Sequence, residues 1–114
     1  MLRSLTIAFI LLGVGLLSGC ATANFTPQLS PEGAKVQVQK SDPPSGCQDL
    51  GIVTQRNLDR DPKVGQVWLT PEGIRNGLKN KSAEKGANYV RLERAIVGQG
   101  GTLVEEAGTA YKCP

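Results

Sequence analysis

The segment TPEGIRNGLKNKSAEKGANYV, residues 70–90, decides the fold, because it contains both ends of a helix and the beginning of a strand. Thr70 is a favourable N-cap residue, and Pro71 suits the first helical position. Gly86 stands where helices commonly end in the left-handed conformation. The segment therefore predicts a helix from Pro71 to about Lys85.

The apolar stripe of this helix is thin. Ile74 and Leu78 are spaced by four residues, as on one helix face, and most residues around them are small or polar. Gly73 and Gly77 each weaken the helix by up to about 1 kcal/mol relative to alanine. A helix with so narrow an apolar face is expected to lie close against a sheet.

Strand patterns lie on both sides of the helix. The four predicted strands are residues 36–39, 49–54, 89–97 and 102–113, and the stretch GQGG at 98–101 turns the chain between the last two. The order ββαββ predicts an α+β fold in which one helix packs on one face of a mainly antiparallel sheet. In the third strand, Val90, Leu92 and Ile96 are expected to share one face.

Between the second strand and the helix, Arg56–Leu69 (RNLDRDPKVGQVWL) is interpreted as a long polar loop. It contains Trp68, the single tryptophan of the chain. Long loops are often functional and tryptophan is enriched among residues that dominate binding energy, so Trp68 is a candidate partner-binding residue. The alternative is that Trp68 folds back over the sheet edge as part of a small core. The sequence leaves both interpretations open.

The chain begins with a segment typical of an exported protein. Residues 1–19 contain one charge, Arg3, followed by the apolar run Leu5–Leu17. As a helix this run would span about 20 Å, less than the roughly 30 Å of a bilayer core. It therefore predicts a signal peptide rather than a membrane-spanning anchor.

The run ends in the sequence LSGC, residues 17–20, which resembles the bacterial lipobox. The resemblance implies cleavage between Gly19 and Cys20 and attachment of lipid to Cys20, and several acyl chains form a stable anchor. The alternative is a plain signal peptide that ends near an unmodified cysteine. Gram-negative lipoproteins held at the inner membrane tend to carry Asp after that cysteine. Because Ala21 follows here, the resemblance implies the outer membrane, facing the periplasm.

The chain after the signal peptide divides into two parts. Residues 20–34 are interpreted as the lipidated cysteine and a tether, which reaches at most about 50 Å when fully extended. Residues 35–114 are interpreted as one periplasmic domain. A domain of this size has a modest core, for which a covalent cross-link is a useful addition.

Two cysteines remain once Cys20 is assigned to lipid. Cys47 and Cys113 would lie in an oxidising compartment, where such a pair is expected to form a disulfide. Closing a loop of this length would stabilise the fold by about 4 kcal/mol in the chain-entropy model. The alternative, a redox-active or metal-binding pair, would favour C-x-x-C spacing or nearby histidine, and the sequence has neither.

Charge and composition argue against several function classes. The net charge of +3 falls to +2 when the signal peptide takes Arg3 with it, which is too little to indicate nucleic acid binding. The sequence has no histidine, so nucleophilic catalysis would need a Ser-Lys pair. The S-x-x-K spacing occurs only at Ser82–Lys85, within the predicted helix and without the S-D-N and K-T-G motifs that accompany it in such enzymes. Residues 98–101 lie between strands, which favours a turn over a phosphate-binding loop. The sequence therefore predicts no enzyme, no cofactor and no metal site.

Two acidic stretches are candidate cation sites. Asp59-Arg60-Asp61 has an arginine between its carboxylates and fits a solvated loop better than a calcium cage. Glu105 and Glu106 are neighbours on a strand and are expected to point to opposite faces, so they do not form a two-carboxylate site.

Three motifs carry a family resemblance: SGCQDLGIV (45–53), RNGLKNKSAEKGANYV (75–90) and GTAYKC (108–113). They resemble a family of small uncharacterised Gram-negative lipoproteins with a C-terminal A-Y-x-C motif. That family is similar in arrangement to RcsF, an outer-membrane lipoprotein that senses envelope stress. The resemblance implies a disulfide-stapled α+β domain at the outer membrane, and it brings no catalytic residues.

Two functional hypotheses follow from these observations. The first is a non-enzymatic, membrane-anchored envelope lipoprotein that binds a protein partner, as a stress sensor or an assembly accessory. The second is a periplasmic lipoprotein that binds a small ligand or peptidoglycan in a groove between the Trp68 loop and the sheet.

Overall fold

The computed structural model describes residues 25–61 and 65–114. Gly19 and Cys20, the lipobox residues, lie outside the described residues. The described residues form one α-helix, α1 (Pro71–Glu84), and six strands. The strands are β1 (Gln37–Gln39), β2 (Gln48–Arg56), β3 (Leu58–Asp61), β4 (Gly65–Trp68), β5 (Tyr89–Val97) and β6 (Leu103–Lys112).

Four strands form the main sheet, in the order β1-β5-β6-β2. β1 runs parallel to β5, whereas β5 and β2 both run antiparallel to β6. The helix α1 covers one face of this sheet, and β3 and β4 form a separate two-stranded hairpin. The predicted α+β class, with one helix on a mainly antiparallel sheet, is therefore confirmed.

The helix begins and ends where its sequence indicates. The backbone N–H of Gly73 donates to Oγ1 of Thr70 at 3.0 Å, which is the expected N-cap bond. Gly86 follows the last turn with φ of +88°, a value that favours glycine. The predicted helix end near Lys85 is one residue beyond the observed one.

The core lies between α1 and the sheet. Leu78 of the helix is fully buried, as is Val90 of β5. The buried apolar cluster consists of Val36, Val53, Leu78, Ala87, Val90 and Ala110. Small residues such as Ala110 let the helix approach the sheet closely, as its thin apolar stripe predicts.

The predicted loop at residues 56–69 is instead the hairpin of β3 and β4. Leu58 pairs with Trp68 and Asp61 pairs with Gly65, which has a φ of +84°. The loop prediction was wrong because charged and polar residues occupy both faces of the hairpin. The apolar alternation that marks a half-buried strand is therefore absent.

The tether predicted for residues 20–34 also differs from the structure. Asn80 of α1 accepts a hydrogen bond from the backbone N–H of Ser30 at 2.9 Å and donates one to the carbonyl of Gln28 at 3.0 Å. Phe25 forms a bridge to Leu69. From Phe25 onward the segment therefore packs on the domain, because side-chain amides of the helix bind its backbone.

The pairing of β5 with β6 contains a bulge that the sequence pattern does not indicate. The pairing with β6 shifts between Leu92 and Arg94, which leaves Glu93 as an extra residue. Val90 and Leu92 face α1 as expected. Ile96 lies beyond the bulge, on the opposite face, and is 43% exposed, so its predicted place beside them was wrong.

Candidate functional site

The N-terminal segment joins the domain directly beside Trp68. The backbone N–H of Phe25 donates to the carbonyl of Trp68 at 2.7 Å, and the carbonyl of Phe25 accepts from the N–H of Thr70 at 3.2 Å. These two bonds flank the bridge to Leu69 and hold Phe25 against the end of β4. Phe25, the first described residue, is therefore held next to the only tryptophan of the chain.

Trp68 and Leu58 form an exposed apolar pair. They are direct partners across the hairpin, so their side chains lie on the same face. The exposed fractions are 59% for Trp68 and 42% for Leu58, whereas the next residue, Leu69, is buried. The structure thus does not place Trp68 in the core. We call Leu58 and Trp68 the hairpin patch.

The other face of the hairpin turns toward the domain. Gln55 of β2 is 1% exposed, and its Nε2 donates to the carbonyl of Arg56 at 2.9 Å and to Oδ2 of Asp59 at 3.2 Å. Asp59, interpreted from sequence as part of a solvated loop, therefore helps to fix the hairpin to the sheet. This contact keeps the hairpin patch facing outward.

Cationic side chains lie around the hairpin patch. Arg60 is two residues along β3 from Leu58 and shares its face. Arg56 and Arg94 bind one carboxylate, that of Glu105, with both N···O distances at 3.1 Å. Because two guanidinium groups share one buried carboxylate, the cluster keeps a net positive charge.

A shallow depression of about 360 Å³ lies beside the hairpin patch. Its lining includes Leu58, the arginines Arg56 and Arg94, and Lys81 of α1. The depression combines one apolar side chain with three cationic ones and the carboxylate of Glu105. An anionic group such as a carboxylate or a phosphate would suit this lining best.

Glu105 and Glu106 point to opposite faces, as their positions on a strand predict. Glu106 lies on the helix face, where Nε and Nη2 of Arg75 bind its two oxygens at 2.9 and 2.7 Å. The side chain of Glu106 is only 3% exposed. The hydrogen bonds that Arg75 donates to Glu106 raise the pKa of Arg75; burial opposes this increase, and the negative charge of Glu106 adds a smaller one. Both carboxylates are thus held in ion pairs on separate faces.

The face of the sheet away from α1 carries a second polar cluster. The guanidinium of Arg91 lies 5.8 Å from the centre of the Tyr111 ring and binds Asp42 and Glu93, each at 2.8 Å. Thr109 donates a hydrogen bond to Glu93. That bond, and then the bond from Arg91, lower the pKa of Glu93. The cluster is internally paired and stabilises the sheet.

The disulfide closes the end of the sheet that is remote from the hairpin. Gln48 at the start of β2 pairs with Lys112 at the end of β6, so Cys47 and Cys113 lie side by side and are bonded. Asn88 supports this end, because its side chain exchanges two hydrogen bonds with the backbone of Cys113 at 2.7 and 2.9 Å. The predicted Cys47–Cys113 disulfide is confirmed.

Clusters of potential metal ligands and membrane-spanning helices are both absent from residues 25–61 and 65–114. In that part of the chain, no group of three or more His, Cys, Asp or Glu residues is arranged to hold a metal ion. The helices there are also too short or too polar to cross a bilayer.

One comparison with known proteins gives a match. The model of a protein family described as a domain of unknown function, DUF4156, matches residues 27–113. The match begins two residues after Phe25 and ends at Cys113, so it covers the segment packed on α1 as well as the sheet. No curated protein matches the chain.

Proposed function

The chain belongs to the DUF4156 family, and we propose that it is a non-enzymatic lipoprotein of the cell envelope that binds a protein partner. In this proposal residues 1–19 are removed as a signal peptide and Cys20 carries the lipid. The anchor holds the domain at the outer membrane, facing the periplasm. The lipobox sequence at residues 17–20 supports the anchor.

The observation that carries the proposal is the exposure of the hairpin patch beside Phe25, close in sequence to the proposed anchor at Cys20. Trp68 is 59% exposed, and its backbone carbonyl is bonded to Phe25, five residues after Cys20. A large exposed aromatic residue next to an apolar neighbour is typical of a binding surface, because tryptophan contributes strongly when it is covered. We therefore assign partner binding to Trp68, together with Leu58.

The resemblance to RcsF supports a role in sensing envelope stress or in assisting assembly at the outer membrane. A sensor or accessory of this kind needs an anchor, a rigid domain and a contact surface, and it needs no catalytic group. The disulfide and the bonds of the 25–34 segment to α1 supply the rigidity.

Site-specific crosslinking in intact cells tests this proposal. A photo-crosslinking residue at position 68 is expected to capture one discrete envelope protein, and the additional substitution Leu58→Asp is expected to abolish the capture. The same crosslinker at Ile52, which is 68% exposed on β2, serves as the matched control and is expected to capture nothing at that mass. Capture of no protein from position 68, in cells where the anchored domain is folded, would refute protein binding by this surface.

Lipid attachment has its own test. Mass spectrometry of the mature N-terminal peptide is expected to show a diacylglyceryl and an acyl group on Cys20. The variant Cys20→Ala is expected to keep its signal peptide and to accumulate as the precursor. An unmodified Cys20 in a cleaved chain would support the plain signal peptide instead.

The depression beside the hairpin patch favours a second candidate function. Its lining of Arg56, Arg94 and Lys81 suits the carboxylates of peptidoglycan stem peptides or of a small anionic ligand. Trp68 fluorescence should then change in a saturable way when muropeptides are added, and Lys81→Ala should weaken the binding. A protein partner predicts no such response to muropeptides alone.

A further inference from the structure

We propose that, while no partner is bound, the hairpin patch rests on the anionic lipid surface into which the chain is anchored. This inference depends on the lipid anchor of the proposed function, and it specifies what covers the binding surface in the resting state. The lipid and the partner then occupy the same surface in turn, so a partner binds only by displacing the patch from the bilayer.

Only a short length of chain lies between the proposed anchor and the domain. Only five peptide steps separate Cys20 from Phe25, and each spans at most about 3.6 Å, so Phe25 lies within about 18 Å of the acylated residue. Trp68 is bonded to Phe25 and lies about one strand spacing, roughly 5 Å, further away. The tether inferred from sequence would have allowed a much greater distance.

Most of the exposed large apolar side chains of the described residues lie at one end of the sheet. Among the described residues, the large apolar side chains that are exposed are Ile52, Leu58, Trp68, Ile96 and Val97. Val97 pairs with Leu103 at the end of β5, which is the same end of the sheet as the hairpin. Only Ile52 stands apart from this end. A domain that displays its exposed apolar surface mainly beside its anchor is suited to lie on a membrane interface.

The hairpin patch combines the ring of Trp68 with arginines close by. Tryptophan is the residue that membrane proteins place at the level of the lipid head groups, because its ring is apolar and its N–H is polar. Arg60 shares the face of Leu58, and the cluster of Arg56 and Arg94 on Glu105 retains positive charge nearby. Arginines beside the apolar pair of Leu58 and Trp68 favour a surface that contains anionic phospholipid.

The disulfide end is directed away from the bilayer in this orientation. β2 has nine residues and spans about 30 Å from the disulfide to the hairpin. Cys47 and Cys113, together with the Arg91 cluster, therefore remain in the periplasm. They are accessible to water whether or not the patch is covered.

The single tryptophan makes a direct test possible. The mature lipidated chain is reconstituted into vesicles of phosphatidylethanolamine and phosphatidylglycerol that contain brominated acyl chains, which quench a tryptophan in contact with lipid. We expect the fluorescence of Trp68 to fall about twofold or more, as for an interfacial tryptophan. A control chain with Trp68→Phe and Ile52→Trp carries its only tryptophan outside the patch and should not be quenched.

One further protein variant and one change of lipid separate the apolar contribution of the patch from that of its positive charge. Leu58→Asp is expected to reduce the quenching of Trp68 while the protein still floats with the vesicles. Replacement of phosphatidylglycerol by phosphatidylcholine is expected to reduce it as well, because the arginines lose their anionic counterparts.

The outcomes distinguish the inference from the function on which it rests. If the chain floats with the vesicles but its Trp68 fluorescence equals that in vesicles without brominated lipid, the docking is overturned and the anchor is left intact. A chain isolated from cells without lipid, and absent from the floating fraction, overturns the anchor and the docking together. Quenching of Trp68 without capture of any protein in cells would keep the docking and remove the protein partner.

Discussion

The side-chain amide of Gln55 lies directly against Gly77 of α1, so close that a Cβ atom at position 77 would stand 2.6 Å from Oε1 of Gln55. Both residues are buried, and Oε1 has no hydrogen-bond partner among residues 25–61 and 65–114. Glycine has no Cβ atom, so the Gln55 oxygen can approach the backbone of the helix at this position more closely than it could approach any other residue. Gly77 therefore serves a polar side chain that passes beneath the helix toward the hairpin.

Gly77→Ala should destabilise the protein although alanine is the better helix former. The helix gains up to about 1 kcal/mol in propensity, whereas forcing the Gln55 amide aside costs about 1–3 kcal/mol and strains its bonds to the hairpin. Urea unfolding measures the net change. In the Gln55→Ala background the same substitution should become neutral or stabilising, and an equal loss in both backgrounds would show that the two residues are not coupled.

Arg75→Met should destabilise the domain through the carboxylate that it leaves behind. Glu106 is 3% exposed and receives two hydrogen bonds from Arg75, so removing the guanidinium leaves a buried charge without its partner. We expect a loss of about 2–3 kcal/mol at pH 7, below the 3–5 kcal/mol of a fully buried pair because Arg75 is 40% exposed.

The double variant Arg75→Met with Glu106→Leu is the matched control for this pair. It removes both charges, so its stability at pH 7 should exceed that of Arg75→Met alone. If the double variant were as unstable as the single one, the loss would come from helix packing rather than from the orphaned carboxylate.

Removal of the disulfide should lower stability by about 4 kcal/mol. Cys47 and Cys113 are 66 residues apart in sequence, and closing so long a loop strongly restricts the unfolded chain. Cys47→Ser with Cys113→Ser, compared with the oxidised protein in urea, gives the difference in unfolding free energy. Reduction of the wild-type protein should produce the same shift. An unchanged midpoint after complete reduction would contradict this role.

Features determined by neighbouring residues could be predicted from the sequence. The caps at Thr70 and Gly86 fix the helix because they act within one turn. The disulfide was expected from the predicted signal peptide and from the two cysteines that remain besides Cys20, and its geometry follows from the pairing of two strand ends. The α+β class followed from strand periodicity on both sides of one helix.

Features that depend on distant contacts could not be predicted in the same way. The hairpin was taken for a loop since its stability comes partly from Gln55 and Phe25, which lie outside it. The bulge at Glu93 is a single extra residue with no compositional mark, yet it moves Ile96 to the other face. Trp68 was identified as a candidate, but its position beside the N-terminal segment depends on a bridge between Phe25 and Leu69, which are 44 positions apart.

Glu93 should make stability depend on pH in the acidic range. The hydrogen bond from Thr109, and then that from Arg91, lower the pKa of Glu93 in the folded state. A lowered folded pKa means that the contribution is fully present above the ordinary pKa of a glutamate, about 4.3, and is lost as the pH falls through the folded value. The difference in Tm between the wild-type protein and Glu93→Gln should therefore be largest near pH 7 and shrink in acid.

Thr109→Val provides the comparison for Glu93. It removes the largest cause of the lowered pKa, so the acid-dependent loss of stability should be smaller and should be complete at a higher pH than in the wild-type protein. A Glu93→Gln difference that stays constant from pH 7 to pH 3 would show that the cluster adds no proton-linked stability.

Asn80→Ala should release the N-terminal segment without unfolding the domain. Asn80 holds this segment through the N–H of Ser30 and the carbonyl of Gln28, and each bond contributes about 1 kcal/mol. Alanine is also the better helix former, so Tm should change little. Hydrogen exchange of the amides between Phe25 and Gly33 should accelerate by on the order of tenfold, and that of β6 should not. Lys79→Ala, one position earlier on α1, controls for the substitution itself. Equal acceleration throughout the chain would mean that the segment unfolds only together with the whole domain.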